Sequence, residues 1–220
     1  MKFSNVFFFA SLATAAPLVQ PRQDQTVVGT IVSSLNTLQV TTNSNVDEIN
    51  KSLASVRDNT QVAAQVQAAI KANYEAILGA LKSSTEQITK QTTGAAGGVA
   101  GQAKNLGQQE IDNLTDGLAV AQGVISQLEA TIFVTGSDLT PEAKAFVQAE
   151  IDGVKNALTP FVRPISAFVD AAIRASVVAG VQVRGLQNAQ REFSRVIQNI
   201  ARSLGIPGLG SLPGLSSLTT

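Results

Sequence analysis

The spacing of apolar residues predicts an all-α protein: a compact or elongated bundle of about six amphipathic helices with no sheet. Three observations carry this. Apolar patterns longer than about ten residues step by three and four throughout. The remaining faces are filled with Ala, Gln, Lys and Glu, all good helix formers. Threonine, asparagine, proline and glycine stand at the joints, where helices start and stop.

The N-terminus comes first. Met1-Lys2, an uncharged apolar run from Val6 to Ala13 and the small residues Ala13-Thr14-Ala15 form a cleavable secretory signal over residues 1–15. The run is far shorter than the roughly 20 apolar residues a bilayer crossing needs, so no transmembrane segment is expected. Residues 16–22, with Pro17, Pro21 and Arg22, read as a processed pro-segment or as a disordered arm that stays attached. The body then spans residues 23–204 as a single helical domain, long enough to bury a true core.

Val28, Ile31, Val32, Leu35 and Leu38, followed by Val46, Ile49, Leu53 and Val56, mark two helical stretches. Thr41-Thr42-Asn43-Ser44-Asn45 between them predicts a break or turn, because these side chains compete for backbone hydrogen bonds. A second unit starts near Asn59-Thr60. Its stripe is Val62, Val66, Ile70, Tyr74, Ile77, Leu81 and Ile88, and it ends at Thr92-Thr93-Gly94. Residues 94–101, with four glycines, predict a flexible hinge, with a close-packing seam between helices as the alternative. They also lack the Gly-Lys-Ser/Thr ending of a phosphate loop.

Ile111, Leu114, Leu118, Ile125, Leu128 and Ile132 mark the next helix. Thr140-Pro141-Glu142 is the clearest helix start: a cap, a proline at the first helical position and an acid in the positive first turn. Thr159-Pro160 repeats the device, and Pro164 predicts a restart or kink. From Ile165 the chain is apolar nearly all round, through Phe168, Val169, Ala171, Ala172, Ile173, Val177, Val178 and Val181, which predicts a buried helix.

Beyond Gly185 two opposed stripes sharpen. Arg184, Arg191, Arg195 and Arg202 fall within about 20° of one line on a helix, while Leu186, Phe193, Ile197, Ile200 and Leu204 centre on the other side. Residues 205–220 mix Gly, Pro, Leu and Ser without a period and read as a disordered tail.

The chain has no histidine and no cysteine, which removes the usual metal ligands, the neutral-pH general base and the thiol nucleophile. No catalytic residue, cofactor or metal site is therefore expected, and the chain reads as a non-enzyme. Asp112 and Asp116, one turn apart, read as a solvated helix face. Formal charge is zero, but residues 23–159 carry 8 basic and 14 acidic side chains, whereas residues 160–220 carry 6 arginines and 2 acids. The arginine line reads as the solvent face of the last amphipathic helix, as a partner for acids of the N-terminal half, or as a contact with an anionic surface, with Phe193 and Ile197 on the apolar side. With 5% aromatics and no basic cluster interleaved with them, nucleic acid is not an expected partner. Asn50-Lys51-Ser52 and Asn113-Leu114-Thr115 are candidate N-glycosylation sequons.

The signal, the short pro-segment, the cysteine-free body and the Ala/Val/Leu/Ser/Thr-rich helices together resemble the fungal hydrophobic surface-binding protein A family, also described as cell-wall galactomannoproteins. The nearest local likeness is Thr30-Ile31-Val32-Ser33-Ser34-Leu35-Asn36-Thr37-Leu38 and Asn45-Val46-Asp47-Glu48-Ile49, which look like that family's opening helices. The chain is longer than the family's usual domain, and its arginine-bearing last helix has no counterpart there. The resemblance implies a secreted helical protein that coats apolar surfaces and associates with the cell wall. The expected partner is thus a hydrophobic, lipid or cell-wall surface, with self-association of the exposed stripes as a further expectation. The alternative is a secreted protein-binding factor, a host-directed effector or adhesin, that uses a fixed bundle surface.

Overall fold

The computed structural model describes residues 26–57, 63–93 and 98–210. The expected signal and pro-segment, the expected cap pair Asn59-Thr60 and residues 211–220 lie outside them. The helices are α1 (Val27–Arg57), α2 (Ala63–Thr93), the short α3 (Gly98–Gln102), α4 (Gln108–Asp138), α5 (Pro141–Val178) and α6 (Arg184–Ser203); a 3₁₀ turn, Ala103–Asn105, follows α3. There is no strand among the described residues.

The apolar stripes explain the packing. Val66, Ile70, Tyr74, Ile77, Leu81 and Ile88 of α2 are all fully buried, as are Ile31, Leu38 and Ile49 of α1. Each stripe needs a facing one. α1 packs on α2 and α4, α2 packs on α5, and α6 packs on α4 and touches α5, closing a ring of five long helices. Side-chain contacts set the directions. Ser34 Oγ donates to Gln87 Oε1 at 2.9 Å, so early α1 meets late α2 and the pair is antiparallel. Gly117 abuts Val32 and Leu35, which runs α4 parallel to α1. Lys71 reaches Glu150 at 3.1 Å and Gly153 abuts Leu78, which runs α5 parallel to α2. α3 and the 3₁₀ turn pack on α5 and bury Ala103 and Leu106.

Two expected interruptions are absent. α1 runs unbroken through residues 41–45, because Thr42 is fully buried and completes the stripe between Leu38 and Val46. Asn45 Nδ2 donates to the Thr41 carbonyl at 2.7 Å, so its side chain joins the helix without displacing a ladder bond. α5 likewise runs through Pro160 and Pro164, where a new start was expected. Each proline costs about 3 kcal/mol in a helix interior. Burial of Leu158 before them, Phe161 and Val162 between them and Ile165, Phe168 and Val169 after them outweighs that, at about 1.5–3 kcal/mol per large side chain. The carbonyl of Asn156 loses its helical donor to Pro160, and both residues line a cavity of about 390 Å³ between α2 and α5, floored by Leu78 and Ala157 and rimmed by Lys82, Thr85, Glu86 and Gly153.

The Thr140 start is as the sequence predicts: Thr140 Oγ1 accepts from the Ala143 amide at 3.4 Å, with Pro141 next. The C-termini of α5 and α6 close in the same way. Gly180 (φ 74) and Gly205 (φ 64) occupy left-handed backbone, and the amides of Val181 and Ile206 donate back to Ser176 and Ala201. The disorder expected from residue 205 is not found over residues 205–210, where Ile206 and Leu209 fold back and are buried; residues 211–220 lie outside the described residues. Of the glycine-rich stretch, residues 98–101 belong to α3, while 94–97 lie outside. The apolar run at the end of α5 divides. Phe168, Val169, Ala171 and Ala172 are buried, but Val177 and Val178 face solvent.

Tyr74 Oη and Thr135 Oγ1 meet at 2.8 Å in the core, joining α2 to α4. Burial pushes the phenol up to about 12, against the opposing pull of the Thr135 hydrogen bond. An unfolded tyrosine ionises near about 10. Above that pH the native chain keeps a proton the unfolded chain has lost, so stability is intact below about pH 10 and falls as pH rises through about 12. Since Tyr74 is the chain's single tyrosine, its phenolate absorbance should appear only as helical circular dichroism is lost. A phenolate forming near its ordinary pH in a still-helical chain would contradict this packing.

Candidate functional site: the two faces of the last helix

α6 is the helix whose polar and apolar residues separate most completely. Arg184, Arg191, Arg195 and Arg202 are all exposed, while Leu186, Phe193, Ile197 and Ile200 are buried. The structure thus brings the four arginines onto one solvent face, as the spacing predicts. It places Phe193 and Ile197, 1% and 0% exposed, in the core on the opposite side. In this closed conformation they reach a surface only if α6 leaves the bundle.

The arginines are not neutralised by the acidic N-terminal half. Arg195 pairs with Glu192 on its own helix at 2.8 Å, and Arg202 donates to the Gln198 carbonyl and to Asn199 Oδ1. Arg184 and Arg191 have no acidic partner among the described residues. The docking of basic on acidic segments that the charge division suggested is therefore not made by this line.

Two polar clasps hold α6 along α4. At one end Gln108 Nε2 donates to the Gln182 carbonyl at 3.3 Å while the Gln182 amide donates to Gln108 Oε1 at 3.2 Å. At the other end Ser203 Oγ donates to Glu129. These clasps were not legible in the sequence, since 74 residues separate each pair. They also fix direction, running α6 parallel to α4.

Elsewhere the polar candidates sit apart. Asp112 is exposed and accepts from Gln108 Nε2 at 2.9 Å, and Asp116 is exposed one turn on. Asn50 and Asn113 both lie on exposed helix faces. The described residues contain no group of three or more acidic side chains placed to hold a metal. α4 is long and apolar enough by composition to cross a membrane, but here it lies in the bundle with eleven residues buried.

Comparison with protein-family models, curated proteins and solved structures returned no match.

Truncating the buried side should be costly, about 3–5 kcal/mol for Phe193→Ala and about 2–5 kcal/mol for Ile197→Ala, read by denaturant unfolding. Changing all four arginines to glutamine should shift stability by less than about 1 kcal/mol, because the pairs they make are exposed. Indifference of stability to both alanine variants would mean that α6 is not docked in solution.

Proposed function

We propose that this is a secreted, non-enzymatic helical protein that adsorbs to hydrophobic, lipid or cell-wall surfaces by exchanging contacts between its helices for contacts with the surface. The observation that carries the reading is the kind of core the bundle has: apolar stripes that run the length of each helix, interrupted by buried hydroxyls. Ser34, Thr42, Ser84, Thr92, Thr131, Thr135, Ser166, Ser176 and Ser194 are all buried. The hydroxyls of Thr42, Ser166 and Ser176 have no hydrogen-bond partner among the described residues.

Moving an apolar stripe from a neighbouring helix to an apolar surface changes little per unit area, since about 25 cal/mol per Å² is gained on either side. Terms that differ between the two states then decide the balance. A buried hydroxyl without a partner costs about 1–3 kcal/mol, and loosening the bundle gives it water. The export signal and the resemblance to the hydrophobic surface-binding protein A family support the same reading.

A second reading has one observation in its favour. Phe133 on α4 is 75% exposed, and Phe146 on α5 is 48% exposed with the Lys71 ammonium 5.6 Å from its ring centre. Exposed aromatics of this kind anchor protein partners, which suits a secreted effector or adhesin with a fixed surface.

The two readings part on polystyrene beads or oil droplets. The purified mature chain should enrich there well beyond a soluble helical control of similar size, and failure to enrich sinks the adsorption reading and leaves the fixed-surface one. Thr42→Val adds a check with a definite sign. It should stabilise the bundle by about 1 kcal/mol, by removing an unpartnered buried hydroxyl, and should slow adsorption. Faster adsorption in the stabilised variant would contradict the exchange.

A further inference from the structure

We infer that the arginine face of α6 and the α5–α6 corner form a docking surface by which the closed bundle sits on an anionic lipid bilayer. This goes beyond adsorption by exchange, because no helix has to open.

Two sets of exposed side chains stand close along the chain here. The arginine line runs from Arg184 to Arg202, about 27 Å at 1.5 Å per residue, and three of its members, Arg184, Arg191 and Arg202, are free of carboxylates among the described residues. At its Arg184 end the chain turns back to α5, where Val177 and Val178 are 58% and 89% exposed. The turn is fixed by Gly180 at φ 74, by the Val181 amide on the Ser176 carbonyl and by the paired Gln108–Gln182 hydrogen bonds. The exposed valines thus stand six and seven residues before Arg184, across a turn closed by these hydrogen bonds.

The combination selects the partner. An acidic polysaccharide or nucleic acid satisfies the arginines and leaves the valines in water. A neutral apolar solid does the reverse. A bilayer with anionic headgroups offers both phases in adjacent layers: phosphates at the surface for guanidinium groups, and hydrocarbon just beneath for short apolar side chains. The guanidinium also suits phosphate better than an ammonium does, through its paired donors, and residues 160–220 contain six arginines and no lysine.

The test is co-sedimentation of the purified chain with vesicles of phosphatidylcholine alone and of phosphatidylcholine mixed with phosphatidylglycerol. Binding should need phosphatidylglycerol and weaken as salt rises. Replacing Arg184, Arg191, Arg195 and Arg202 by glutamine should lower partition by roughly fivefold for each arginine that reaches the surface. The double change Val177→Ser and Val178→Ser should lower it as well, and all these positions are exposed, so circular dichroism should stay that of the parent. Amide exchange along α6 should remain slow on the vesicles.

Four results overturn the inference: no binding to the mixed vesicles; equal binding to pure phosphatidylcholine; equal binding of the serine variant, with polyglutamate competing as well as lipid; or loss of protection in α6, which means opening rather than docking. A chain that enriches on polystyrene but ignores the vesicles ends the docking surface and spares the adsorption reading. The converse outcome spares the docking surface alone.

Discussion

Everything in this fold depends on apolar helix faces that have only one another for cover. The chain has no cysteine to staple it, so the helices must match end to end. α1, α2 and α4 are each 31 residues long, about 46 Å at helical rise, and their stripes register over the whole length. α5 is longer, and it meets α4 only lightly. α6, with 20 residues, inserts its narrow apolar face where those two helices fail to close on each other. Its segregation into two faces follows from that position: one side completes the core, and the other is the outside of the molecule.

Much of this was legible because helical periodicity reports angle directly. The stripe from Val66 to Ile88 is buried at every position named in it. The Thr140-Pro141 start was legible because a cap and a proline both act within one turn. The failures have a common cause. Residues 41–45 and Thr159-Pro160 carry local signals for a break, worth about 1–3 kcal/mol each, and local signals are outweighed where several large side chains are buried on both sides. Thr42 shows the point: a hydroxyl read as a helix competitor sits fully buried in the stripe. The outward valines at the end of α5 were misread for a related reason, since a run apolar on all sides does not say which side the bundle leaves uncovered.

The candidate site was half legible. Spacing alone put four arginines on one face, and the structure keeps them there. Spacing could not say what the opposite face touches, because a core helix and an adsorbing helix have the same pattern. Nor could it show the clasps between Gln108 and Gln182 and between Glu129 and Ser203, which arise only once α4 and α6 lie side by side. These clasps bear on the proposed docking, since they resist peeling of α6 and leave its outer face exposed while the inner one stays packed.

The two proposals act over different distances, and this orders them. Charge on the arginine face is felt across about 8 Å of physiological saline, before any side chain touches the surface, and it acts on the molecule as folded. Exchange of apolar stripes needs contact, and it must first overcome the clasps and the burial of Phe193 and Ile197. On an anionic bilayer, then, the proposed docking uses the outer face of α6 alone and leaves the bundle closed. On a neutral apolar solid that attraction is missing, and the proposed adsorption rests on the hydroxyl-diluted core alone. The same helix thus closes the fold and, in the proposed docking, meets a charged surface, because the residues for each task lie on opposite sides of one 20-residue cylinder.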